Sequence, residues 1–159
     1  QFMIDQGLLD LESRKGKAPG GYNCPLAESG APFIFMNAAG QMHDVTTMLH
    51  EGGHAIHYFL SHPLELNGFK EYPMEIAEVA SMAMELMSMD EWEIFFTNKE
   101  DLIRAKEHQL ERVITIFPWI AIIDKFQHWV YENPAHTMEE RSENWVRILN
   151  EFTSPVSCT

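Results

Sequence analysis

Apolar residues recur at helical spacing through most of this chain. Val45, Met48, Leu49, Ile56, Phe59 and Leu60 form one stripe at about 100° per residue, which Gly52 and Ala55 join. Asp44 stands where an N-cap is expected. His50, His54 and His57 fall on the opposite side of that helix, with Glu51 at their flank. Pro73 opens a second helix running to about Ser88, with an apolar face of Ile76, Val79, Ala80, Ala83, Leu86 and Met87. Glu75, Glu78 and Glu85, with Ser81 among them, share the other face. Asp90-x-x-Glu93 reads as a capping box opening a short helix through Trp92 and Phe96. Asn98 reads as the cap of a long helix over residues 99–131, kinked or broken at Pro118. Thr137-x-x-Glu140 is another capping box, before a helix carrying Trp145, Ile148, Leu149 and Phe152.

The rest of the pattern is less helical. Residues 1–13 carry Ile4, Leu8, Leu9 and Leu11 and predict a short amphipathic helix. Residues 14–22 are basic and glycine-rich, the composition of a connection or of a flap bordering a cleft. They lack the residue order of a phosphate-binding P-loop. Residues 32–37 form an apolar, aromatic run that predicts a buried strand; at a sheet edge, such a strand would hold an extended peptide by strand addition. Residues 61–68, with Pro63 and Asn67-Gly68, predict a turn. The expected fold is mainly α, with a short β-strand near residues 33–37.

Composition narrows the function. The 159 residues suit one domain, or a piece of a larger protein, and 45% hydrophobic with 22% charged residues are globular values. A net charge of −13 argues against a nucleic-acid partner, which needs a basic surface. No apolar run is long enough to span a membrane. Cys24 and Cys158 are far apart and lack metal spacing, which fits a reducing compartment and a cytoplasmic location.

The chemistry concentrates in His50-Glu51-Gly52-Gly53-His54-Ala55-Ile56-His57. This is H-E-x-x-H on a helix: two imidazoles one turn apart, able to grip one ion, with a carboxylate between them. The four-residue motif alone arises in about 4% of shuffled chains of this composition, so its helical context carries the argument. His57 lies seven residues from His50, about 10.5 Å along the axis, too far to share one tetrahedral ion. It is expected to support a ligand or to contact substrate. Several carboxylates crowded on the second helix repel one another, and a divalent cation with histidine partners relieves that. A His₂Glu site suits one Zn²⁺ better than magnesium or calcium, which demand more oxygens. Glu51 is then placed as general base toward a zinc-activated water. Spacing alone does not choose the third ligand among Glu75, Glu78 and Glu85.

From Lys15 to about Met87 the chain resembles the M3 family of metallopeptidases, in its oligoendopeptidase F branch. The resemblance rests on Gly16-Lys17-Ala18-Pro19-Gly20-Gly21-Tyr22, on Pro32-Phe33-Ile34-Phe35-Met36-Asn37, on the H-E-x-G-H-x-x-H form above, and on Glu75-Ile76-Ala77-Glu78-Val79-Ala80-Ser81. It implies a thermolysin-like zincin core with His50, His54 and Glu78 as ligands and Glu51 as catalytic base. Glu85 would orient a ligating histidine, and Glu75 would likewise support the site or contact substrate. It implies hydrolysis of short oligopeptides, mostly inside cells. Family members are several times longer, so residues 1–159 are expected to form a single catalytic-core segment of a longer chain. The family stabilises its oxyanion from a later segment that Tyr22, Tyr58, Tyr72 and Tyr131 do not match.

Two other readings compete with a zinc endopeptidase. One is a catalytically incomplete zinc-binding helical module. The other is a metal-free helical interaction domain, which treats the motif as accident. The sequence carries no signal of oligomeric state.

Overall fold

Gly7 decides how the chain begins. At φ +66° it adopts a left-handed conformation that favours glycine, just beyond a helix confined to Phe2–Asp5 (α1). Leu9–Glu12 then runs as a strand, β1, so the amphipathic helix expected over residues 1–13 is corrected to one helical turn and a strand. The leucines face the core because β1 pairs with a neighbouring strand, not because they share a helical stripe. The computed structural model describes residues 1–153; Cys158 lies outside them.

Three strands form the sheet, in the order β1-β3-β2. The expected strand is present as β3 (Ala31–Ala38), with Ala31, Pro32, Ile34 and Met36 buried. It pairs parallel with β1 (Leu9 opposite Ile34) and antiparallel with β2, Gly21–Leu26 (Tyr22 opposite Phe35). Being central, β3 has both backbone edges occupied, so the idea that it could accept an added strand is corrected; β1 and β2 are the edges. Strand β2 is not among the elements that the sequence pattern predicts. Pro25 lacks an N–H and is tolerated because this strand lies at an edge. Tyr22, expected in the loop, stacks on Phe35 with ring centroids 4.9 Å apart.

The basic loop is anchored. Lys17 Nζ donates to the Asp10 carboxylate at 2.9 Å and to the Asp10 and Glu12 carbonyls at 3.0 and 2.7 Å. It also sits 4.6 Å from the Phe35 ring centroid. Arg14 holds the same carboxylate at 2.6 and 2.7 Å. A lysine whose side chain is 1% exposed needs these partners, and they tie the loop to β1 instead of leaving it as a free flap.

Helix α2 (Met42–Ser61) follows. Its N-cap is Gln41, three residues before the expected Asp44. Asp44 instead reaches back, accepting from the N–H groups of Gln41 at 2.7 Å and Ala39 at 2.9 Å. Ala55 and Met48 pack against Ile34 and Met36. Ile56, Phe59 and Leu60, from the same predicted stripe, are exposed. A short helix α3 (Asn67–Lys70) sits in the expected turn region.

Helix α4 (Met74–Met87) starts after Pro73 as expected, but its faces are reversed. Ala77, Ser81 and Glu85 are buried, while Ile76, Val79, Leu86 and Met87 are exposed. Gly53 of α2 explains this. A Cβ there would stand 2.7 Å from both the Ala80 carbonyl oxygen and the Ser81 Cα, so the helices meet through small residues. Ser88–Ile94 is a 3₁₀ helix with Asp90 inside it, not capping it. Trp92, fully buried, donates its indole N–H to Ser88 Oγ at 3.1 Å.

The chain divides into two compact units, Gln1–Leu102 and the residues from Ile103 on. Helix α5 (Lys99–Glu132) is capped by Asn98 Oδ1, which accepts from the Glu100 N–H at 2.8 Å, and it continues through Pro118 without a break. Helix α6 (Met138–Phe152) has the expected Thr137/Glu140 capping box. Within the second unit Trp145 meets Trp119 and Phe126 edge-on, and Lys125 pairs with Glu151.

Candidate metal centre

Helical rise puts His50 and His54 side by side on the face of α2 turned toward α4. Their rings meet edge-on with centroids 4.9 Å apart. Glu78, one turn into α4, places Oε2 3.3 Å from His50 Nε2 and Oε1 3.9 Å from His54 Nε2. One donor atom from each of the three residues lies within 4.8 Å of the others. Donors held 2.0–2.1 Å from a tetrahedral ion are about 3.3 Å apart, so this set needs only a small contraction to close on zinc. Two imidazoles and a carboxylate fit zinc in donor chemistry as well.

The surroundings prepare the donors. His50 Nδ1 lies 2.7 Å from Glu85 Oε1, a carboxylate buried on α4. That bond fixes the ring and leaves Nε2 facing Glu78. The Glu85 hydrogen bond raises the pKa of His50 against the opposing effect of burial. Burial pushes His54 down, and the charge on His50 adds to the effect. Both effects favour the neutral imidazole of His54, the form that can donate a lone pair. Ser81 Oγ, fully buried, donates to Glu78 Oε2 at 2.9 Å and also approaches the Glu78 carbonyl at 3.1 Å.

Glu51 is buried on the flank of this group. Burial raises its pKa; the charge on His50 opposes this and that on Glu78 adds to it. Its carboxylate lies beside Gly21, where a Cβ would come within 3.4 Å of Glu51 Oε1 and 2.8 Å of Thr47 Cγ2. Asn23 Nδ2 donates to the Glu51 carbonyl at 3.1 Å, tying β2 to the helix. Of the other candidates, His57 stacks on Tyr72 with centroids 4.0 Å apart, and its Nδ1 is buried without a hydrogen-bond partner. Glu75 is exposed and stands apart from the three-residue group.

The profile of peptidase family M3 matches residues 1–158. The chain belongs to peptidase family M3. Within this family of metal-dependent peptidases its relatives lie in the oligoendopeptidase F branch. The chromosomal oligoendopeptidase F of Lactococcus lactis subsp. cremoris is 24% identical over 145 residues, covering 88% of this chain and 22% of the relative. A crystal structure assigned as an oligoendopeptidase F from Bacillus anthracis str. Ames superposes with a TM-score of 0.88 at 35% identity, covering 95% of this chain and 27% of that one. PZ peptidase A, solved with an inhibitor, gives a TM-score of 0.88 at 36% identity over 95% and 26%. The M3 chain described here thus spans about a quarter of the length of these structures. Both are consistent with its mainly helical core.

The sequence assigns no role to the residues that support this candidate centre: Gly21 and Gly53 stand in it only as motif residues, and Asn23 is not singled out. Gly53, Gly21 and Asn23 act through close approach or a backbone contact, which residue type does not announce. Ser81 was visible only as a neighbour of the glutamates.

Proposed function

We propose that this chain is a catalytic-core segment of a zinc-dependent endopeptidase acting on short oligopeptides. His50, His54 and Glu78 are the residues that would hold the ion, and their convergence from α2 and α4 is the observation that carries the reading. A zinc ion there supplies Lewis acidity, polarising a peptide carbonyl and lowering the pKa of water toward 7. Glu51 takes the proton of the attacking water and passes it to the departing amine as the C–N bond breaks. Its raised pKa suits the taking of that proton, because a less acidic carboxyl is the stronger base. Glu85 holds His50 by Nδ1, and Glu75, outside the three-residue group, is left a supporting or substrate-contacting role. His57 is assigned to the wall beside the ligands, where its stack on Tyr72 fixes the ring. One edge of the sheet, β2, borders Glu51, consistent with an extended peptide as substrate.

The family's location inside cells and the small number of cysteines, two and far apart in sequence, support a cytoplasmic protein; no helix among the described residues is long and apolar enough to cross a membrane. A net charge of −13 speaks against nucleic acid as a partner. A second reading, a zinc-binding segment that cannot turn over alone, is favoured by the chain's span of 22–27% of its relatives. Loss of one oxyanion donor alone costs about 10²–10³ in rate. The test is cleavage of a quenched peptide by wild type and by Glu51→Gln, with zinc content measured in both. The substitution is expected to keep the zinc and abolish cleavage; equal rates would remove Glu51 from the role of base, and a zinc-loaded but inactive wild type would favour the second reading.

A further inference from the structure

The carboxylate of Glu78 is the most exposed of the three groups in the candidate metal centre. Its side chain is 40% exposed, against 26% and 17% for His50 and His54, and it carries more rotatable bonds than either ring. Ser81 is its opposite: fully buried, one turn further along α4, with its Cα under Gly53 of α2. A donor fixed in the helix crossing thus reaches an acceptor whose nearest other partner is His50 Nε2, 3.3 Å from the same oxygen. The Ser81 hydroxyl meets Glu78 Oε2 at 2.9 Å, while Oε1 is the oxygen nearer His54. The two carboxylate oxygens are therefore not equivalent before any ion arrives.

From this we infer that Ser81 is a positioning residue that keeps Glu78 a one-oxygen ligand. Its hydrogen bond neutralises part of the charge on Oε2 and fixes the carboxylate plane, so the two oxygens do not grip the ion together. One coordination position then stays open for water, as a catalytic zinc site requires. The inference rests on His50, His54 and Glu78 being the ligands. Removing the hydroxyl leaves the fold intact, because alanine is smaller than serine and suits a helix interior.

The experiment compares the purified chain with Ser81→Ala. Zinc affinity is measured by competition with a chelator, and coordination by the visible spectrum after cobalt(II) replaces zinc. Four-coordinate cobalt absorbs more strongly than five- or six-coordinate cobalt. The variant is expected to bind zinc about tenfold more weakly or worse, with a weaker cobalt band and an unchanged unfolding midpoint without metal. Wild-type affinity or a wild-type cobalt band in the variant would overturn the role of Ser81 while leaving the three ligands standing. A wild-type chain that binds no zinc would overturn the metal centre, and this inference with it.

Discussion

Gly52 and Gly53 stand side by side in α2 and look alike in the sequence, yet their surroundings are opposite. Nothing lies within 4 Å of a Cβ built on Gly52, whereas one on Gly53 meets backbone atoms at 2.7 Å. Backbone cannot turn aside as a side chain can, so Gly53→Ala is expected to destabilise the chain by roughly 1–3 kcal/mol and to weaken zinc binding by parting the helices. Gly52→Ala should instead be stabilising by about 0.5–1 kcal/mol, through helix propensity. Urea unfolding of the two variants checks both signs; equal effects would mean that α2 and α4 do not cross at Gly53. The pairing of His50 with His54 was readable, since imidazoles at i and i+4 of a helix encode their own geometry. Ser81 and Asn23 were not, because what they do depends on a neighbour brought close by the fold.

Apolar spacing located α2, α4, α5 and α6 and misjudged what two of them bury. Ile76 and Val79 are apolar and exposed, while Ser81 and Glu85 are polar and buried. The polar groups can be inside because each is satisfied there, Ser81 by Glu78 and Glu85 by His50. Hydrophobicity reads the transfer cost of a side chain and not its partners, so a site-forming face looks like a solvent face. Strands were harder still. Leu8, Leu9 and Leu11 satisfy a helical template, and only Gly7 followed by pairing with β3 selects the extended form. Asp10 of β1 gives this element a pH signature. The Arg14 and Lys17 hydrogen bonds hold its carboxyl well below the usual carboxylate range. Its contribution is therefore complete above the ordinary pKa of 3.8 and is lost as pH falls through the lower folded value. Asp10→Asn should lower the thermal midpoint at neutral pH, with the difference from wild type shrinking in acid below that ordinary pKa. A difference that grows in acid would contradict the clamp.

As a whole, the molecule is acidic, mostly helical, and about a quarter the length of the solved relatives it matches. Its two units divide the work unequally, because every residue of the candidate centre lies in Gln1–Leu102. Family membership was legible from about half the chain, the part with motifs. The helices of the second unit matched in shape without diagnostic residues. What stands above all else is the proposal that α2 and α4 meet closely enough for Glu78, and not its neighbour Glu75, to join His50 and His54 in a group that could hold a metal ion. Zinc content after exhaustive dialysis of wild type, Glu78→Ala and Glu75→Ala measures this. About one zinc per chain is expected in the wild type and in Glu75→Ala, with little retained by Glu78→Ala. Full retention by Glu78→Ala, or equal loss from both variants, would contradict it.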